Sequence, residues 1–120
     1  MNITGIHHPD LVAALVKDPD QLLADLTPES AHMLHMAVGV SGEAGELLDA
    51  VKRHAIYNRP IDLDNVIEEL GDLEFYMEGI RQSLSISRED TLVDNITKLS
   101  SRYARFTFTN EDATLRADKR

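Results

Sequence analysis

Between residues 28 and 85 the chain carries two long apolar stripes, and their period restricts the fold more than any other feature. In the first, Met33, Met36, Ala37, Val40, Ala44, Leu47, Leu48, Val51 and Ala55 recur at intervals of three and four. In the second, Leu63, Val66, Ile67, Leu70, Leu73, Met77, Ile80 and Leu84 do the same. A strand would alternate at every second residue, so both stretches read as helices with one apolar side. The first has a clear start: Thr27 as N-cap, Pro28 at the first helical position and Glu29 in the first turn, which predicts a helix over about 28–55. A short connection with Asn58 and Pro60 follows, and Asp62 or Asp64 can cap the next helix, about 62–85. Ser87, with Glu89 and Asp90 behind it, caps a further helix over about 88–105, with Leu92, Ile96, Leu99 and Tyr103 as its inner side.

Upstream, residues 1–8 read as an irregular lead-in. Pro9 opens a short helix, 9–17, and Pro19 opens a further short turn with Leu22, Leu23 and Leu26. Downstream, residues 106–120 form a polar tail with one small apolar cluster at Phe106 and Phe108. Aromatic residues make up only 5% of the chain and Trp is absent, which argues against a sandwich of short strands. The expected fold is therefore all-α: an antiparallel helical bundle of the four-helix type over residues 28–105, with a lead-in (1–27) and a tail (106–120).

Within the first long helix, Gly39, Gly42 and Gly45 interrupt the stripe. Each costs up to about 1 kcal/mol against Ala in a helix interior. Three in one short run call for close approach of another helix or of a ligand. They are not a phosphate-cradling loop, because no Gly-Lys-Ser/Thr ending follows and the period is helical.

Each long helix also carries two acids three residues apart, Glu43 and Glu46, then Glu69 and Asp72. On a helical wheel Glu43 lies ~80° and Glu46 ~140° to one side of its stripe, while Glu69 lies ~70° and Asp72 ~130° from theirs in the same sense. In two antiparallel helices these edges either both face a shared groove or both face away. Facing away, they are solvated surface acids. Facing each other, four carboxylates repel and lose hydration, and a hard divalent cation removes both penalties. Mg²⁺, with Mn²⁺ as a substitute, takes oxygen ligands octahedrally and keeps waters for phosphate oxygens.

The formal net charge is −9, which speaks against a nucleic-acid or anionic-membrane binder and is compatible with cation binding. With no cysteine, any metal site must use oxygen or imidazole. His32 and His35 sit near one turn apart but lack a third zinc ligand at matching spacing, and His7 and His8 fall in the expected irregular lead-in. No apolar run approaches the ~18 residues of a membrane span, so a soluble, cytoplasmic protein is expected.

At the four acids the chain resembles the MazG-like all-α nucleoside triphosphate pyrophosphohydrolases. The family pattern is ExxE, a gap, then ExxD. Here it reads Glu43-Ala-Gly-Glu46, 22 intervening residues (47–68), then Glu69-Leu-Gly-Asp72. The stretches HMAVGVSGEAGELLDAVKRH and VIEELGDLEFY resemble the second and third helices of that fold, and NITKLSSRYARFTFTNEDATLR resembles its NxxKLxxRY segment and tail. The resemblance implies bundles that pair into dimers or a dimer of dimers, and Mg²⁺ held by Glu43, Glu46, Glu69 and Asp72. It implies hydrolysis of a nucleoside triphosphate to the monophosphate and pyrophosphate. Many members have two adjacent acids at the first motif. This chain has Gly42 before Glu43, which leaves the number of metal ions open.

Either Glu46 or Glu43 can act as the base that receives the proton of the attacking water. Asn95, Lys98 and Arg102 lie along one helix face, and Lys98 and Arg102 suit phosphate, Arg with a fork geometry. Taken alone they are surface charges on a bundle helix; the matching family segment makes them substrate contacts. Lys52 is a snorkelling surface lysine by default and a phosphate contact by resemblance. Tyr76, one turn after Asp72, can stack on a base or pack in the core.

Three other classes compete. A di-iron bundle would need Glu-x-x-His pairs, which neither motif supplies. A non-catalytic nucleotide sensor keeps the metal and lacks turnover, and a purely structural oligomer binds no metal.

Overall fold

The computed structural model describes residues 4–116, and its elements are all helices: α1 (His8–Leu15), α2 (Pro19–Asp25), α3 (Pro28–Ala55), α4 (Leu63–Ser83), α5 (Arg88–Arg102) and α6 (Asn110–Leu115). No strand occurs among the described residues. The chain divides into two compact units, Met1–Ala31 and His32–Arg120.

In the first unit, both short helices have a proline in the first turn, and Asp18 caps α2 by accepting from the Asp20 N–H at 3.3 Å. The turn expected after Pro19 is thus a helix in its own right. The start of α3 is a reciprocal cap. The Ser30 N–H donates to Thr27 Oγ1 (3.1 Å) and the Thr27 N–H donates to Ser30 Oγ (2.9 Å), with Ser where a longer acid or amide more often stands.

In the second unit, α3 and α4 run antiparallel, and their contacts fix the register. The Met36 side chain lies against Gly79, the Tyr76 ring lies against Gly39, and the Glu43 carboxylate meets that of Asp72. Numbers rise along one helix as they fall along the other. A Cβ on Gly39 would collide with the Tyr76 ring, so Gly39 has the close helix approach that the glycine run called for. Gly42 and Gly45 do not, since a Cβ there meets nothing within 4 Å. The ring of Tyr76 also meets His35 and Phe75 edge-on, at centroid distances of 6.5 and 5.1 Å.

Asp62, not Asp64, caps α4, accepting from the Asn65 N–H at 3.1 Å. The helix ends in a Schellman turn: the Ile86 N–H donates to the Arg81 carbonyl and the Ser85 N–H to the Gln82 carbonyl, with Ser85 left-handed at φ 55°. Ser87 then caps α5 through the Asp90 N–H at 2.9 Å. Arg81 reaches Glu74 and Glu78, and Arg88 reaches back to Glu74 at 3.6 Å, tying the start of α5 to α4.

The tail carries a short helix that the sequence reading did not assign: Thr109 caps α6 by accepting from the Asp112 N–H, and the Tyr103 and Phe108 rings lie 5.6 Å apart. Residues 117–120 of that tail lie outside the described residues. The all-α expectation holds, but a closed four-helix core is not seen among the described residues. Among the described residues only Met36, Ala50 and Glu69 are buried; of the expected inner side of α5, Leu92, Ile96 and Leu99 are exposed and Tyr103 is half-buried. The helical period correctly gave α5 one apolar side, but only tertiary contacts could say whether this chain covers it.

Candidate functional site

The acids are brought together by the register just described. Gly39–Tyr76 and Met36–Gly79 hold α3 and α4 close, and one turn further on the apolar contact gives way to carboxylates. Oxygen atoms of Glu43, Glu69 and Asp72 all lie within 4.8 Å of one another. Glu43 and Asp72 are half-buried and Glu69 is buried, 6% exposed. Glu46 is exposed and stands outside this trio, although its charge is felt by Glu69.

Glu69 has the environment expected of a carboxylate waiting for a counter-charge. Its Oε2 is buried with no hydrogen-bond partner among the described residues. Its pKa is pushed up from 4.5 to about 7, first by a side-chain hydrogen bond with Glu43, then by burial, then by the charges of Glu46, Glu43 and Asp72. Every group that shifts it raises it.

These residues fit a hard divalent ion. The donors are all carboxylate oxygens, the class preferred by Mg²⁺ and Mn²⁺. With metal–oxygen bonds of about 2.1 Å, octahedral ligand oxygens sit about 3.0 Å apart when adjacent and about 4.2 Å when opposite. A cluster within 4.8 Å is close to that spacing without rearrangement of the helices. Neither His32 nor His35 belongs to it.

The other residues singled out from the sequence lie at several places. The Lys52 ammonium stands 5.5 Å from the centre of the Tyr57 ring, an exposed cation–π pair. Tyr76 is at the α3–α4 contact, with its ring against Gly39. On α5, Asn95 is exposed while Lys98 and Arg102 are half-buried. Arg102 lines a cleft of about 470 Å³ between α5 and α6, together with Arg105, Thr109 and Asp112.

A second cleft was not anticipated. It measures about 220 Å³, lies at the turn between α3 and α4, and is lined by Ala50, Arg53, Arg59, Pro60, Asp62 and Asn65. The available clue was weak: a few basic residues around a loop do not reveal which of them face a helix groove.

Comparison with known proteins adds one match. The family model described as the MazG nucleotide pyrophosphohydrolase domain matches residues 32–106. No curated protein and no solved structure matches the chain.

Proposed function

Because this chain belongs to the MazG nucleotide pyrophosphohydrolase family, we propose that it hydrolyses nucleoside triphosphates, ribo or deoxy, to the monophosphate and pyrophosphate, with Mg²⁺ as cofactor. The observation that carries the reading is the buried Glu69, with an unpartnered oxygen and a raised pKa, facing Glu43 and Asp72. A fold does not retain a repulsive cluster of this kind for stability.

Glu43, Glu69 and Asp72 would hold the ion, with Glu46 at the edge of the site. Bound there, Mg²⁺ would neutralise triphosphate charge and acidify a water. The remaining work falls to the chain. Glu46 is exposed beside the trio and is the acid least committed to it, so it is assigned to receive the proton of the attacking water. That water adds to the α-phosphorus, the bond from the α-phosphorus to the oxygen bridging to the β-phosphate breaks, and pyrophosphate leaves. Lys52, Asn95, Lys98 and Arg102 are assigned to phosphate and sugar, and Tyr76 to the base side of the site.

The working form is proposed to be a homodimer or a dimer of dimers. Supporting this, Leu34, Val38, Leu48, Ile67 and Phe75 on α3 and α4 are 54–67% exposed, an apolar surface that monomers rarely leave to water. No described helix is long and apolar enough to cross a membrane.

The test is pyrophosphate release over a panel of common and damaged nucleoside triphosphates, with Mg²⁺ and with chelator. Wild type is expected to turn over at least one of them only with the metal. Glu43→Gln, Glu46→Gln, Glu69→Gln and Asp72→Asn should each nearly abolish release while remaining folded. Turnover retained in any two variants refutes the assignment. Nucleotide-dependent stabilisation without pyrophosphate would instead identify a sensor.

A further inference from the structure

The cleft at the α3–α4 turn continues the line of the carboxylates. Ala50 is four residues after Glu46 on α3, and Asn65 is four before Glu69 on α4. Each step is about one helical turn, roughly 6 Å along the helix. Arg53 follows Ala50 by three residues and keeps to the same side of α3, as Asp62 and Asn65 keep to the side of Glu69 on α4. The cleft therefore lies on the same α3–α4 pair as the acids, further toward the connecting turn.

The cleft is built rather than incidental. Arg59 lies in the connection, and its backbone is held on both sides of its Cα. The Arg59 N–H donates to the Arg53 carbonyl at 3.3 Å, and the Arg59 carbonyl accepts from His54 Nδ1 at 2.7 Å. A carbonyl can only accept, so Nδ1 carries the proton. Asn58 takes the left-handed conformation, φ 54°, that turns the chain toward this position. Of the acids nearby, Asp62 has Oδ1 engaged in capping α4, and Asp49 pairs with Arg53 at 2.7 Å in an exposed ion pair of the weak class.

We propose that Arg59, with Arg53 beside it, forms an anion site for the terminal phosphates of the substrate, two to three helical turns from the carboxylates. This rests on the pyrophosphohydrolase reading for its substrate, and it adds two phosphate-binding residues that reading does not use. The chemistry is complementary. A triphosphate brings about four negative charges to a chain of net charge −9, and the metal ion covers only part of them. Two guanidinium forks in the cleft at the turn accept the rest, in the geometry that suits phosphate oxygens. The same site would hold pyrophosphate after cleavage.

The experiment is calorimetric titration of inorganic tripolyphosphate, with Mg²⁺, into wild type, Arg59→Ala, Arg59→Lys and Arg53→Ala. A lost charge-assisted hydrogen bond weakens binding roughly tenfold or more. Arg59→Ala and Arg53→Ala are each expected to raise Kd by that factor, and Arg59→Lys to recover part of it. Both side chains are exposed, so the melting temperature should not move and misfolding is not confounded with the result. Equal Kd in wild type and Arg59→Ala overturns the proposal, as does absence of binding by wild type. The two readings fail separately. Wild type that releases no pyrophosphate from any nucleotide sinks the enzymatic reading, while an arginine-dependent tripolyphosphate Kd would still establish the site.

Discussion

Adding a single methyl group at Gly39 tests the contact that sets the register of the acids. Replacing Gly by Ala in a helix interior normally stabilises by about 1 kcal/mol. At Gly39 the new Cβ would run into the ring of Tyr76. Overpacking of this kind costs about 1–3 kcal/mol. Gly39→Ala should therefore be neutral to about 2 kcal/mol destabilising, where helix propensity alone says the opposite. In a Tyr76→Ala background the ring is gone and the same substitution should recover its gain of about 1 kcal/mol, a coupling of about 1–3 kcal/mol. Gly42→Ala and Gly45→Ala are internal controls. Their Cβ atoms meet nothing within 4 Å, so each should stabilise by about 1 kcal/mol. The assay is urea unfolding of all variants at one low protein concentration without metal, because pairing and ligands shift apparent stability. If Gly39→Ala stabilises as much as Gly42→Ala, with no coupling to Tyr76, the α3–α4 register is wrong and the carboxylate cluster falls with it.

Two further outcomes follow from the same structure. The pKa of Glu69, raised from 4.5 to about 7, means the folded chain holds a proton that the unfolded chain has already released. Its contribution is complete below pH 4.5 and is lost as pH rises toward and through 7. The melting temperature of the metal-free protein should therefore fall over that window relative to Glu69→Gln, and parallel curves for the two proteins would refute the burial argument. Ser85 holds a left-handed conformation at the end of α4, where glycine is normally preferred. Ser85→Gly should stabilise by about 1 kcal/mol in urea unfolding, and a loss would contradict the turn.

Much of this was legible from local chemistry. Thr27-Pro28, Asp62 and Ser87 mark where α3, α4 and α5 begin because capping needs only neighbours within three or four residues. The apolar period gave each long helix one apolar side, and the spacing of the acids put Glu43 and Glu69 nearest it. Even α6 has a marker in Thr109 and the acids after it, but a helix of six residues is too short to show an apolar period.

Local chemistry does not reach the pairing of the two long helices. Glu46 and Asp72 lie at nearly the same angle from their stripes, yet Asp72 joins the cluster and Glu46 stays exposed. That outcome depends on Met36 seating on Gly79 and Tyr76 on Gly39, contacts between residues some forty positions apart. The rise in the Glu69 pKa is likewise a property of the assembled helix pair, since the Glu43 hydrogen bond, burial and three charges from two helices must coincide. Residue identity set which helices form and which side of each is apolar. Packing across the chain set which acids meet, because the distance between side chains on different helices is decided by what lies between those helices.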